Sequence, residues 1–325
     1  MKRPDRTNEA LRLCVSFFLV FIFLASCASA PKISLPPESE GAELALLPAG
    51  GKVYVWADTV QGKPLLDVLS FDGKSSKDAA KVLDLTKTAA GVVFPEAQNK
   101  DGQSGQERRF FLAAFGDYPR VKANFSLIFT KGWKKQKSPT GNSYWYSKDQ
   151  GLALALGPDI ALVSNSDPFE DFPKETIPAG FIDFRRGMAL AGWLPDSSEK
   201  INGFLDAMGL PVQIPAEDFF FGAARLPGKD PSDAPWELFF RIRTESASQA
   251  RSLLSFINMA RLFLLRGIGQ EEKSGDGSSM GPMEMAVLLF ANPPEQDGDA
   301  LIFRTGPLGE GRIALLFTAF SLYSD

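Results

Sequence analysis

The chain has 325 residues, a net charge of −4, 44% hydrophobic and 11% aromatic residues, no histidine and only two cysteines. That composition supports a packed globular body and gives no reason to expect nucleic-acid binding. The missing imidazole excludes Ser-His-Asp and Cys-His catalysis, His-ligated zinc and facial-triad iron. Any catalysis is left to carboxylates, Lys, Ser or Tyr.

The N-terminus opens with Lys2, Arg3, Arg6 and Arg12, continues through an apolar run at residues 13–25, and places small residues before Cys27. Thirteen apolar residues are short for a membrane span, which takes roughly 17–25. Ala28-Ser29-Ala30 would suit ordinary secretory cleavage. The order ending in Leu24-Ala25-Ser26-Cys27 resembles the type II signal peptide of bacterial lipoproteins, and its loose form with a phenylalanine-rich chain resembles the spirochaete type. The resemblance implies release of residues 1–26, acylation of Cys27 with palmitate-like chains, and a protein held on a membrane of the bacterial envelope, facing periplasm or exterior. Cys14 would leave with the leader, so disulfides and thiol chemistry are excluded. The leader carries four basic and two acidic residues, so its removal takes the net charge to −6.

Residues 27–50 hold Pro31, Pro36, Pro37, Glu38 and Glu40 and read as the lipidated Cys and a tether. Two halves follow, at 51–166 and 181–325, separated by a linker at 167–180 with Pro168, Pro173, Pro178 and Gly180. In the first half we expect strands at 53–59 and 109–116, helices at 64–71, 76–86 and 119–131, and closing strands at 142–147, 152–156 and 160–164. In the second we expect a strand at 188–194, then a helix with Asp196 and Glu199 as a capping box and Gly209 as its stop. An aromatic strand at 218–226, a long helix at 246–266 and strands at 283–291, 300–305 and 312–320 complete it, with turns at 293–298 and 306–311. Both halves place a glycine 20 residues after a strand begins, Gly73 after Val53 and Gly209 after Ala189, a hint of duplication. The fold class is α+β: two split-βαβ-like halves, each an antiparallel sheet with helices packed on one face.

Of the glycine-rich stretches, neither Gly306 to Gly311 nor Gly267-Ile268-Gly269 has the strand-to-helix setting of a phosphate loop, so both read as turns. Asp276 lacks the alternating carboxylates of a calcium loop, and no metal or cofactor is expected. Glu170-Asp171, Asp183, Glu217-Asp218 and Glu271-Glu272 are the carboxylates from which acid–base chemistry would have to come, and no catalytic residue stands out. The densest unusual surface is Lys131, Trp133, Lys134, Lys135 and Lys137 with Tyr144, Trp145 and Tyr146, where cations beside aromatics would grip anionic lipid, glycan or an acidic partner. A basic helix end leading into a locally packed hairpin accounts for the same residues. The 246–266 helix is apolar around most of its circumference, which makes Leu254, Ile257 and Leu265 either core or the lining of a groove or interface.

These features favour an exported, membrane-anchored lipoprotein with a non-enzymatic binding or adaptor role toward an envelope protein or lipid. A histidine-free carboxylate hydrolase of envelope glycan or lipid and a carrier of a hydrophobic ligand are the alternatives.

Overall fold

Tyr54 and Trp56 alternate with Val53, Val55 and Ala57, and that period of two puts both rings, buried, on one face of the strand Val53–Asp58 (β1). The computed structural model describes residues 42–69, 82–95, 109–207, 213–227, 234–267, 288 and 291–313. The leader, Cys27, the tether to residue 41, Gly73 and Gly209 lie outside them, as do residues 98–106 and 268–287. β1 pairs antiparallel with Thr86–Val93 (β2) on one side and with Leu190–Pro195 (β8) on the other.

Among the described residues, twelve strands form one antiparallel sheet. Beyond β2 lie Phe110–Gly116 (β3), Ile160–Ser164 (β7), Leu152–Leu156 (β6), Ser143–Ser147 (β5) and Trp133–Lys137 (β4). Beyond β8 lie Asp218–Arg225 (β9), Trp236–Arg243 (β10), Ala300–Arg304 (β12) and Glu295–Asp297 (β11). The helices are Thr59–Leu69 (α1), Arg120–Phe129 (α2), Ala179–Phe184 (α3), Ser197–Ala207 (α4) and Ala247–Gly267 (α5). Each half runs strand, helix, two strands, helix, further strands. The halves meet edge to edge at the β1–β8 pair, so their sheets are one.

Four helices cover one face of this sheet. Leu65 of α1 joins Ala189, Ala223, Trp236 and Leu238; Ala123 and Leu127 of α2 lie against Ala114, Leu156 and Ala161; Ile201 of α4 and Ala250, Leu253 and Ile257 of α5 pack on Ile242, Leu301 and Phe303. The opposite face is closed by a strap, residues 43–50, and by residues 167–184. Leu44, Leu47 and Phe181 there join Tyr54, Trp56, Val92, Phe111, Leu162, Trp193 and Phe220 in the largest core. Tyr54 stacks on Trp193 with ring centroids 4.9 Å apart. The Trp193 indole N–H donates to Asp218 Oδ1 at 2.8 Å, and Arg243 Nε donates to Oδ2 at 2.9 Å.

Residues 167–180, which read as a linker, are a cover whose backbone binds the strap. Ala49 N–H donates to Pro173 O at 2.7 Å and Glu175 N–H to Leu47 O at 3.0 Å. α1 begins at Thr59, ahead of the expected residue 64, because Asp58 Oδ1 accepts the Val60 and Gln61 N–H groups and caps the helix there. Residues 82–85 are helical, but Thr86 already belongs to β2. β2 and β10 were not anticipated. Ala89, Ala90 and Gly91 give β2 little apolar signal, although Trp236, Leu238, Phe240 and Ile242 alternate plainly along β10.

Two further expectations are corrected. The end of the expected 119–131 helix belongs to the turn before β4, and half of the expected 293–298 turn is β11, with the reversal at Gly298 (φ 61°). The expected strand from 312 begins in a helical turn, where Arg312 N–H donates to Gly309 O at 3.1 Å, and its remainder lies outside the described residues. Leu288, within the expected 283–291 strand, is helical.

Candidate functional site

α2 turns Ala123 and Leu127 toward the sheet and four other apolar side chains away. Ala123 and Leu127 are partly buried on the core, whereas Val121 (50% exposed), Phe125, Ile128 and Phe129 (70%) face out. Spacings of four, seven and eight residues put those four on one stripe. Phe125 and Phe129 touch, with ring centroids 4.8 Å apart.

The helix ends at Thr130, whose N–H and hydroxyl both bond Ser126 O. Gly132 then takes φ 95°, a left-handed turn in which a Cβ would also lie 2.8 Å from Asp149 Oδ2. That reversal lays β4 along the edge of the sheet, paired only with β5. Lysines on an edge strand discourage pairing with other chains. Lys134, Lys135 and Lys137 are exposed there, as is Lys131 in the preceding turn.

Register decides which lysines accompany the apolar stripe. Lys135 lies opposite Trp145, and Trp145 Nε1 donates to Asn124 Oδ1 of α2 at 2.7 Å. Trp133, Lys135 and Lys137 therefore share the face of α2, and Lys134 points to the other side. The aromatics expected to interleave with the lysines serve packing instead. Tyr144 and Trp145 are buried, Tyr146 packs against the strap-face core, and Trp133 is half-buried. The Tyr144 hydroxyl donates to Gln136 Oε1 at 3.0 Å, and burial, followed by Asp167 and Tyr146, pushes its pKa up.

α5 repeats the two-sided pattern in the other half. Ile257 is buried and Leu254 packs on the core, while Phe256, Met259 and Leu262 are exposed. The outward face is therefore not the one that Leu254 and Ile257 define. The side chain of Leu265 lies outside the described residues. Helical spacing in the sequence already showed that α5 is apolar on most sides; which of its faces meets the sheet, and the outward stripe of α2, were not read from it.

Of the carboxylates considered for catalysis, Glu170, Asp183, Glu217 and Asp218 are paired. Glu170 bonds Arg109 at 3.1 Å, Asp183 bonds Arg186 at 2.8 Å and Glu217 meets Arg243 at 3.0 Å. Asp218 is held by Trp193 and Arg243, and Glu271 and Glu272 lie outside the described residues. Among the described residues, no group of three or more His, Cys, Asp or Glu is placed to hold a metal, and no helix is long and apolar enough to cross a membrane.

No known protein family matches the chain, and no curated protein does so. Among solved structures it is similar to TP0453, a protein of the spirochaete Treponema. Crystal form III of that protein superposes with a TM-score of 0.54 at 14% identity, covering 89% of this chain and 100% of the other. Crystal form IV gives 0.52 at 16% identity, covering 90% and 98%. The two chains share a fold over nearly their whole lengths.

Proposed function

We propose that this chain is an exported lipoprotein of the cell envelope, anchored through acylated Cys27, whose body is a non-enzymatic module that rests on anionic lipid through the α2 stripe and the lysines of β4. The observation that carries this reading is the outward stripe of Val121, Phe125, Ile128 and Phe129. A soluble body gains nothing from exposing four large apolar groups on one helix, whereas an interfacial helix buries such a face among headgroups and acyl chains. Lysines beside the stripe add attraction of about 1 kcal/mol each near an anionic surface. The acyl anchor chooses the bilayer as partner, because it holds the body beside a membrane at high effective concentration. The spirochaete fold relative supports an envelope setting.

The test is co-sedimentation of an unacylated Cys27→Ser chain with vesicles of phosphatidylcholine, with and without phosphatidylglycerol. Binding is expected with phosphatidylglycerol, weakening as salt rises. Serine at Phe125 and Phe129 should abolish it, and glutamate at Lys135 and Lys137 should remove the anionic preference. No binding, or binding indifferent to the phenylalanine changes, refutes the reading.

A further inference from the structure

On the opposite face of the sheet, Arg185 at the end of α3 is only 6% exposed. Its guanidinium lies 4.7 Å from the centroid of the Trp56 ring. Nη1 donates to Glu43 Oε1 at a long 3.4 Å, and the same oxygen accepts the Trp56 indole N–H at 2.6 Å. A guanidinium has five N–H donors, and this contact uses one. Nε and Nη2 are both shielded from solvent and have no hydrogen-bond partner.

Those two idle donors form a set. Nε–H and the Nη2–H beside it lie on one edge of the planar group and point the same way, the fork that a carboxylate or phosphate accepts with two oxygens. A buried cation needed only to fill space would be better replaced by an apolar side chain of similar volume. Here the indole face and Glu43 orient the guanidinium and leave its bidentate edge unused.

We propose that Arg185 is the anchor of an oxyanion site, taking a carboxylate or phosphate group on its Nε–Nη2 edge while Trp56 and Glu43 hold the guanidinium plane. The site lies across the sheet from the lipid-facing corner and does not depend on that reading. Because both donors are shielded, the ligand enters through a local opening over the strap face. Glu43, next to the site, repels an incoming anion and limits its affinity.

The test uses the full chain extracted in non-ionic detergent, titrated with inorganic phosphate by calorimetry and thermal melting, with sodium chloride at matched ionic strength as control. Phosphate should bind saturably and raise the melting temperature beyond the chloride effect. Arg185→Lys keeps the charge but loses the fork, and should weaken phosphate at least about tenfold. Glu43→Gln leaves Arg185 in place and should tighten it. Parallel titrations with acetate and with phosphatidic acid vesicles separate a small free anion from a lipid headgroup, either response supporting the site if Arg185→Lys removes it. Absence of any response to phosphate, acetate and phosphatidic acid, or a full response in Arg185→Lys, overturns the proposal. Should Arg185→Lys fail to fold, unchanged phosphate affinity in Glu43→Gln overturns it.

Discussion

Tyr54 and Glu175 are 121 residues apart in sequence and meet at 2.6 Å, the phenol donating to Glu175 Oε2. The same hydroxyl accepts the Gly51 N–H at 2.8 Å. One side chain on the strand where the two halves join thus ties the strap to the segment that covers the sheet. Tyr54→Phe should cost about 1–3 kcal/mol, since the half-buried Glu175 loses its phenol donor, keeping the Gly50 N–H, and the Gly51 N–H loses its acceptor. Urea unfolding near neutral pH measures it.

That phenol also makes stability depend on alkaline pH. Burial, and then the bond to Glu175, raise its pKa above the ordinary 10.0. A raised folded-state pKa means that the folded chain keeps a proton which the unfolded chain gives up. The contribution is therefore complete below about pH 10 and is lost as pH rises past that value. Denaturation curves from about pH 8 upward should show this loss in the natural chain and a shallower one in Tyr54→Phe. Parallel curves would refute it.

Two glycines should respond oppositely to alanine. A Cβ at Gly116 would lie 1.9 Å from Leu85 O and 2.8 Å from Thr86 Cα, both backbone atoms at the β2–β3 irregularity. Gly116→Ala should cost about 3 kcal/mol or more. Gly203 lies exposed within α4 with nothing within 4 Å of a Cβ, so Gly203→Ala should stabilise by about 0.5–1 kcal/mol. Urea midpoints that moved together would contradict the packing at one of the two.

The two faces of α5 should separate by mutation. Ile257→Ala, in the core, should cost roughly 2–5 kcal/mol, whereas Leu262→Ser, 53% exposed, should stay within about 0.5 kcal/mol. A large loss from Leu262→Ser would show that the face is covered in the folded chain.

Cys27→Ser should abolish incorporation of a palmitate analogue and move the chain from the detergent phase to the aqueous phase. Persistent labelling of that variant would place the acyl group elsewhere.

Elements with a strong local signal were legible without any structure. β6 and β7 occupy the expected residues 152–156 and 160–164, and α5 differs from its expected bounds by one residue at each end. β2 was hidden because its burial rests on neighbours supplied by β1 and β3, which let Ala90 and Gly91 serve where a surface strand would need larger groups. The lysine cluster was visible as composition, but the burial of Tyr144 and Trp145 was not, nor was the cross-strand register that sets Lys135 on the face of Trp145 and Lys134 on the face of Tyr146.

By itself the sequence determined the chemistry excluded by the missing histidine, the α+β class and the broadly apolar helix at 246–266, since each follows from composition or from spacing within one segment. The tertiary structure alone decided that the two halves share a sheet at β1–β8, that α2 points its phenylalanines outward, and that Arg185 meets Glu43 across 142 residues with its fork unused. Periodicity reports that a face is apolar or a residue charged. What covers that face, or answers that charge, comes from segments far away in the chain, and only folding brings them together.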